Sequence, residues 1–372
     1  MIRGLAAIGV LIFHVRYRFF CDYSELPNPS LLDKLFYVAT SFGHDAVIVF
    51  FVLSGFFITA SVVRENTQLT FSWRKYFVNR LVRLYVVLIP GLLLTLAWDN
   101  IGLAFFGSHP IYTGASQVWK NDYFPVENRL GVVTLVGNLG FLQTILVQPL
   151  GSNEALWSLA YEFWYYLLFP MFYIGIWGKG SAATRISLVI VGLVTLFAVG
   201  RGIALYFPIW LLGSALCFAP QMRTLHNRPL LFYLATSIAG LIFLGGAMLG
   251  HIGAVKALFR NSVIATDYLT AIGFATFLAV VLQHTQPMKN GCYVRLSQWL
   301  ANFSYSLYVV HLPLLVFLRA WLTDAKPYTP TVYSVSLAIA LVFIVIMYAN
   351  AIALMTESRT SMVRKSALTR LQ

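Results

Sequence analysis

Charged side chains are scarce in this sequence. Of its 372 residues, 10% are Asp, Glu, Lys or Arg and 59% are hydrophobic, whereas soluble domains carry about 25% charged residues. This deficit excludes an ordinary soluble globular protein and indicates an integral membrane protein. The three cysteines, Cys21, Cys217 and Cys292, lie far apart, so they predict neither a disulfide framework nor a cysteine-based metal site.

Several familiar catalytic motifs are missing as well. No G-x-S-x-G element marks a hydrolase serine, and neither a P-loop nor a G-x-G-x-x-G loop marks a nucleotide-binding fold. The histidines are scattered without the spacing that metal ligands require. We therefore predict no metal site and no resident cofactor.

Acidic residues are half as numerous as basic residues. The chain has 13 Asp and Glu against 26 Lys and Arg, for a formal net charge of +13. In a membrane protein such an excess first indicates basic cytoplasmic loops. It also suits anionic ligands such as phosphates, whereas nucleic acid is a poor candidate partner.

Apolar stretches dominate what remains, and each needs about 20 residues to cross a bilayer. The segment 131–148 is interrupted by Gly137, Asn138 and Gly140, so it is interpreted as a re-entrant or interfacial piece. The stretches interpreted as spans are 1–20, 44–63, 82–106, 156–177, 186–201, 203–220, 230–250, 262–283, 298–320 and 332–355.

The distribution of Lys and Arg between these stretches predicts the topology. It places both termini in the cytoplasm under the positive-inside rule. We expect an all-α polytopic membrane protein of about ten transmembrane helices. Residues 1–372 would form a single transmembrane domain with no fused soluble domain.

The first apolar stretch carries ionisable side chains that are costly at bilayer depth, among them Arg3 and His14. These two are 11 residues apart, which on a helix is about three turns and about 16 Å of rise, so they face the same way. This suits a ligand that enters from the cytoplasm, anchors its anionic end at Arg3 and presents a reactive end to His14. The alternative is a topology signal at Arg3 and a hydrogen-bonded core histidine.

A basic cluster precedes the third apolar stretch. Its members are Arg74, Lys75, Arg80 and Arg83. Arg80 and Arg83 share a helix face, and arginine forks bind phosphate through two parallel hydrogen bonds. The cluster is a candidate diphosphate site, or else ordinary positive-inside flanking that contacts anionic lipid headgroups.

One carboxylate, Glu162, is predicted at the same membrane depth as His14. A carboxylate beside an imidazole fixes its tautomer and supports it as a base, so we predict that Glu162 assists His14. The alternative is a carboxylate that is satisfied by nearby Tyr and Trp side chains.

Weaker signals lie elsewhere. Ser54 and Gly55 at mid-membrane favour close helix packing. His311 is either a second polar site or a structural hydrogen-bond donor. The residues assigned weakly to acceptor binding are His44, Asp45, Trp157 and His311.

Five blocks in this order resemble the membrane-bound acyltransferase family 3: "RGLAAIGVLIFH", "FFVLSGFFIT", "RLVRLY", "LWSLAYEFWYYLLFP" and "FSYSLYVVHLPLL". The resemblance implies ten membrane helices, a catalytic base at His14, and an acyl-CoA site at Arg3, Arg80 and Arg83. Many family members have Asp where this chain has Ile48, and Asp45 is a possible substitute.

The resemblance implies an O-acyltransferase that moves an acyl group, by default acetyl, from cytoplasmic acyl-CoA to a hydroxyl of a glycan or lipid-linked sugar. Acyl-CoA would be a co-substrate, not a cofactor. The expected location is the bacterial inner (plasma) membrane, with lipids as further partners. The alternative is a secondary transporter or flippase with a proton relay of intramembrane His, Glu and Arg; its inverted repeats and paired broken helices are not visible in the sequence.

Overall fold

The computed structural model describes residues 1–114, 125–219, 228–249, 251, 263–283, 291–323 and 326–369. Helices are the regular secondary structure of these residues, which contain two isolated bridges and no strand, and this confirms the all-α prediction. Within them the α-helices are α1 (Ile2–Phe19), α2 (Leu31–Ala39), α3 (Gly43–Thr67), α4 (Trp73–Phe106), α5 (Pro110–Thr113), α6 (Val132–Leu139), α7 (Leu156–Trp177), α8 (Ala182–Ala198), α9 (Gly200–Ala215), α10 (Pro229–Leu249), α11 (Val263–Leu282), α12 (Cys292–Leu322), α13 (Val332–Met355) and α14 (Thr360–Thr369).

Seven helical segments in the described ranges are long and apolar enough to cross a membrane. They are Leu31–Thr67, which contains α3, the helices α4 and α9 to α12, and Val332–Thr369, which contains α13. Large apolar side chains are exposed along several of these helices, as at Leu241 of α10 and Phe343 of α13. Such surfaces are stable against lipid and not against water.

Three further helices correspond to predicted spans but are less apolar or shorter. Helix α1 contains three arginines in 18 residues. The 22 residues of α7 are rich in Tyr and Trp and include Glu162, and α8 has 17 residues. The count of about ten spans, and the cytoplasmic position of both termini, therefore stay predictions.

Two compact units share the chain, and each is interleaved in sequence. Unit 1 comprises Met1–Gly43, Trp73–Ala160 and Leu296–Gln372, and unit 2 comprises His44–Ser72 and Tyr161–Arg295. Neither unit is a continuous stretch of sequence, so both depend on contacts between distant helices.

In unit 1, α1 and α12 run parallel and in register. A Cβ at Gly4 would lie 2.5 Å from the Cβ of Leu300, and the rings of His14 and His311 are in hydrogen-bond contact. The two contacts are 10 residues apart on α1 and 11 on α12, so the helices stay side by side for about three turns.

In unit 2, α3 and α9 pack backbone to backbone at glycines. A Cβ at Gly55 would lie 2.0 Å from the Trp210 carbonyl oxygen, and one at Gly213 would lie 1.8 Å from that of Val52. Small residues are the usual means by which membrane helices approach closely. The predicted packing role of Gly55 is confirmed, whereas Ser54 makes a hydrogen bond that is described below.

The interrupted segment 131–148 contains one short helix, α6, followed by turns. Helix α6 has eight residues, so it rises about 12 Å and is too short to span a bilayer. Its interpretation as a re-entrant or interfacial piece stays a prediction.

Candidate functional site

Arg3 and His14, two of the ionisable residues of α1, have different partners in unit 1. Arg3 lies in the first turn of α1 and His14 three turns later, so the helical rise between them is about 16 Å. Both residues are partly buried. We call the start of α1, where Arg3 lies, the arginine end of this helix.

The imidazole of His14 contacts a second imidazole. Nδ1 of His14 lies 2.9 Å from Nε2 of His311, which is on α12. His311 is only 1% exposed, and its Nδ1 lies 2.9 Å from the carbonyl oxygens of both Leu307 and Tyr308. One ring is therefore fixed to the backbone of α12, and the partly exposed ring of His14 is fixed to the first.

A buried arginine follows one turn after His14. Arg18 is 2% exposed and donates from Nη2 to Glu154 Oε2 over 3.0 Å. Arg129 approaches the other carboxylate oxygen of Glu154 at 3.7 Å. Arg18 also acts electrostatically on both His14 and His311, so a positive charge, balanced by Glu154, lies close to the two imidazoles.

The loop before α7 satisfies a carbonyl that a proline leaves without a partner. Pro313 lies inside α12 and has no N–H to bond the carbonyl four residues earlier, at Val309. Asn153, which is fully buried, donates to this Val309 oxygen over 2.8 Å and to Thr95 Oγ1 over 3.0 Å. The loop thereby ties α4 to α12 two residues before His311.

The neighbouring serine of the same loop binds a carboxylate on α4. Ser152 donates to Asp99 from its backbone N–H over 2.8 Å and from its hydroxyl over 2.6 Å. The block "SNEALW" is thus a structural junction of unit 1, and each of its first three polar side chains has its own partner.

At the arginine end of α1 lies a carboxylate that the sequence analysis does not predict. Glu357 receives hydrogen bonds from the backbone N–H and hydroxyl of Ser306, over 3.1 and 3.0 Å. Both Arg3 and Arg83 interact with it electrostatically. The first-helix arginine and one arginine of the basic cluster are thereby brought to one place.

A cavity of about 440 Å³ opens beside this carboxylate. Its lining is mostly polar and includes one cation. The lining residues are Ala301, Asn302, Glu357, Ser358, Thr360, Ser361 and Arg364. Arg364 adds a positive charge to a region where Arg3 and Arg83 already lie nearby.

The arginines of the basic cluster differ in their environments. Arg74 and Arg83 are exposed. The guanidinium of Arg80 lies 5.3 Å from the ring centre of Tyr76, one turn earlier on α4, which is within the range of a cation–π contact. Arg83 thus shares with Arg3 an electrostatic interaction with Glu357, and Arg80 lies against an aromatic ring.

Glu162 lies in unit 2 and has partners there. Its Oε1 accepts a hydrogen bond from the Ser54 hydroxyl over 3.0 Å and a short one from Tyr166. These contacts agree with the alternative in which nearby hydroxyl groups satisfy the carboxylate. The predicted assistance of His14 by Glu162 would join the two units, and it stays a prediction.

Unit 2 also contains two pairs of histidine and aspartate. Nε2 of His44 lies 2.9 Å from Asp267 Oδ2, which also accepts from the Tyr206 hydroxyl. Nε2 of His251 lies 3.1 Å from Asp45 Oδ2. In both pairs the carboxylate is buried and the imidazole is more than one third exposed, so the imidazoles form the accessible part.

Trp157 lies in the first turn of α7 and is half-buried. It is one of the residues assigned to acceptor binding, together with His44, Asp45 and His311. Of these four, the structure pairs His44 and Asp45 with separate partners in unit 2. It places His311 against His14 in unit 1.

Sequence reasoning missed three carboxylates: Glu154, Asp267 and Glu357. Asp267 and Glu357 each lie within or beside a long apolar stretch, where an acidic residue is expensive and usually has a role. That signal was available for both. Glu154 lies in a polar loop, and nothing in its local sequence separates it from an ordinary loop residue.

Residues 1–349 match a family model, acyltransferase 3, that is described as an acyltransferase domain. The chain belongs to this acyltransferase family. Together with the apolar helices, this membership indicates a multi-pass membrane protein of the family.

Two relatives of this family member align over parts of their lengths. Acyltransferase MdmB from Streptomyces mycarofaciens is 31% identical over 177 residues, which is 46% of this chain and 38% of that protein. An uncharacterized protein from Haemophilus influenzae is 31% identical over 131 residues, which is 34% of this chain and 47% of that protein. The alignments thus cover less than half of either relative, and no solved structure matches the chain significantly.

Proposed function

We propose that the chain is an O-acyltransferase of the bacterial inner membrane that takes an acyl group, by family default acetyl, from cytoplasmic acyl-CoA. The acceptor would be a hydroxyl of a glycan or lipid-linked sugar. The observation that carries the proposal is the arrangement on α1, where Arg3 and His14 face the same way and His14 is held by His311.

The arginine end supports binding of the anionic part of acyl-CoA. Arg3 and Arg83 lie near Glu357, and Arg364 lines the adjoining cavity. Phosphate groups would interact with these cations, and Arg74 and Arg80 would contribute from the same end of α4. The pantetheine arm would extend along α1 over the rise of about 16 Å between Arg3 and His14.

The histidine supports the chemical step as a general base. His14 would take the proton from the acceptor hydroxyl while the oxygen attacks the thioester carbonyl. The tetrahedral intermediate would collapse with cleavage of the carbon–sulfur bond, and the imidazolium would return its proton to the leaving thiolate. Arg18 lies one turn away and is able to stabilise negative charge on the carbonyl oxygen in the transition state.

His44 and Asp45 of unit 2 are proposed for acceptor binding, and so, separately, is Trp157 of unit 1, as the sequence suggests. The exposed imidazoles of the two His–Asp pairs in unit 2 support this assignment, because they offer hydrogen-bonding groups to a polyhydroxyl ligand. The identity of the acceptor is the least specified part of the proposal.

Radiolabelled acetyl-CoA tests the proposal with the purified full chain in nanodiscs. Release of labelled acetate, or its transfer to added cell-envelope glycans, is the expected activity. His14→Gln should reduce it at least 100-fold, since general-base help is worth about 10²–10⁴-fold. Full activity of this variant would refute the assignment of the base, and absence of thioester turnover with every acceptor fraction would refute the function.

His109→Asn is the matched control. This histidine lies outside the candidate site, at the start of α5, where its ring accepts a hydrogen bond from the backbone N–H of Ile111. Asparagine caps helices in the same way. The control variant should therefore keep both its fold and its turnover.

A further inference from the structure

We infer that His311 is a positioning residue that holds His14 in the tautomer with its proton on Nδ1 and its basic lone pair on Nε2. The inference rests on the proposed role of His14 as the base. It assigns to His311 a role other than acceptor binding.

The argument begins at the backbone of α12. Carbonyl oxygens accept hydrogen bonds and cannot donate them. Because Nδ1 of His311 lies 2.9 Å from the oxygens of both Leu307 and Tyr308, this nitrogen must carry a hydrogen. A neutral imidazole has one N–H, so Nε2 of His311 presents a lone pair.

The contact between the two imidazoles then determines which nitrogen of His14 carries the proton. Nε2 of His311 lies 2.9 Å from Nδ1 of His14, and an acceptor at this distance requires a donor. Nδ1 of His14 is therefore protonated, and the single lone pair of its neutral ring is on Nε2.

The same contact excludes two imidazolium rings side by side. Two imidazolium ions at this separation would repel each other strongly, and a protonated Nε2 on His311 could not accept from His14. Arg16 and Arg18 follow His14 on α1 and carry further positive charge. Glu154 pairs with Arg18 and neutralises its charge. One transient positive charge on His14 is then tolerated.

In many hydrolytic enzymes a carboxylate orients the catalytic imidazole in this way. Here a neutral histidine supplies the acceptor, and the backbone of α12 fixes the orientation of that histidine. When His14 takes a proton on Nε2, its Nδ1–H still donates to His311. The pair therefore stays hydrogen-bonded throughout the proton transfer.

The variants His311→Gln and His311→Met separate positioning from packing. The amide oxygen of Gln lies near the position of imidazole Nε2 and accepts from His14, whereas Met fills a similar volume without a comparable acceptor. We expect His311→Met to reduce kcat for acetyl-CoA turnover about 10–100-fold, a part of the general-base contribution, with KM changed less than twofold. His311→Gln should recover most of kcat.

Nitrogen-15 NMR of histidine-labelled protein provides a measurement that does not depend on activity. In the wild-type protein, His14, assigned by comparison with His14→Gln, should show a protonated Nδ1 and an unprotonated Nε2 near neutral pH. In His311→Met the two tautomers of His14 should both be populated. A wild-type His14 protonated on Nε2 would overturn the inference, as would equal kcat values for His311→Met and the wild type.

The two proposals fail in different ways. If His14→Gln keeps its turnover while NMR gives the expected tautomer, the catalytic role of His14 is wrong and the hydrogen-bond assignment stands. If His14→Gln is inactive while wild-type Nε2 is protonated, His14 is essential and the role of His311 is wrong. Inactivity of both His311 variants with wild-type unfolding midpoints would also refute positioning through a hydrogen-bond acceptor.

Discussion

Replacement of Asn153 by alanine tests whether the loop before α7 stabilises the proline-containing part of α12. The wild-type side chain is fully buried and donates over 2.8 Å to Val309 O and over 3.0 Å to Thr95 Oγ1. Asn153→Ala removes both bonds. The Val309 carbonyl, which Pro313 cannot bond, is then left without a hydrogen-bond donor.

The expected loss follows from these contacts. Hydrogen bonds between membrane helices contribute about 0.6 kcal/mol on average and at most about 1.7 kcal/mol, and a buried acceptor left without a donor costs about 1–3 kcal/mol. Thr95 keeps its own bond to the Gly91 carbonyl, so most of the loss arises at Val309. We expect Asn153→Ala to lower the free energy of unfolding by about 2–3 kcal/mol.

A double-mutant cycle with Pro313→Ala isolates the cause. Alanine at position 313 supplies an N–H for the Val309 carbonyl, so Asn153→Ala in that background should cost only about 1 kcal/mol, for the bond to Thr95. The coupling energy should then be about 1–2 kcal/mol. The measurement is reversible unfolding in mixed detergent micelles with increasing SDS, followed by tryptophan fluorescence.

Asn100→Ala is the matched control for this cycle. Asn100 is exposed on α4 and its amide bonds only the Leu96 carbonyl of its own helix, so the change should stay within about 0.5 kcal/mol. An equal cost of Asn153→Ala in the two backgrounds would refute the reasoning. It would mean that the missing N–H of Pro313 is not what Asn153 compensates.

Three further predictions follow from other contacts. Glu357→Gln removes the negative charge near the cations at the arginine end of α1, so binding of 3′,5′-ADP by calorimetry should tighten several-fold, whereas Glu25→Gln on an exposed turn should leave it unchanged. Gly213→Ala places a Cβ 1.8 Å from a carbonyl oxygen and should lower the thermal unfolding midpoint strongly. Gly245→Ala should not, because among the described residues no atom beyond its own stretch of helix lies within 4 Å of the added Cβ. Equal midpoints of the two variants would contradict the packing. Asp267→Asn weakens a charge-assisted contact to the His44 imidazole. It should therefore reduce glycan acylation more than thioester hydrolysis. An equal loss in both assays would exclude a role of this pair in acceptor binding.

The sequence predicts the helical class and the position of α1 because both depend on local properties. A sufficiently long run of apolar side chains decides that a stretch becomes a membrane helix. Helical geometry alone decides that Arg3 and His14 face the same way. Neither inference requires knowledge of what packs against α1.

Partners are harder to predict, because they depend on which helices become neighbours. His14 and His311 are 297 positions apart in the chain, and their spacing carries no periodic signal. Matched depth suggests Glu162 as the partner of His14, yet depth is shared by many residues in a bundle of helices. The carboxylate that lies near Arg3 was missed because Glu357 is distant from Arg3 in the chain, although its position beside an apolar stretch marks it as a candidate.

The contact between the two histidines depends on a register that is set elsewhere on α1. A side chain at position 4 would meet Leu300 at 2.5 Å, so glycine is what allows α1 to approach α12 there. From that point the helices advance 10 and 11 residues to His14 and His311, which is the same rise to within about 1.5 Å. A substitution that separates the helices at Gly4 would therefore act about 15 Å away on the imidazole pair, because two rigid parallel helices transmit the displacement. The chemistry of His14 thus depends on Gly4, which has no side chain that could take part in the reaction.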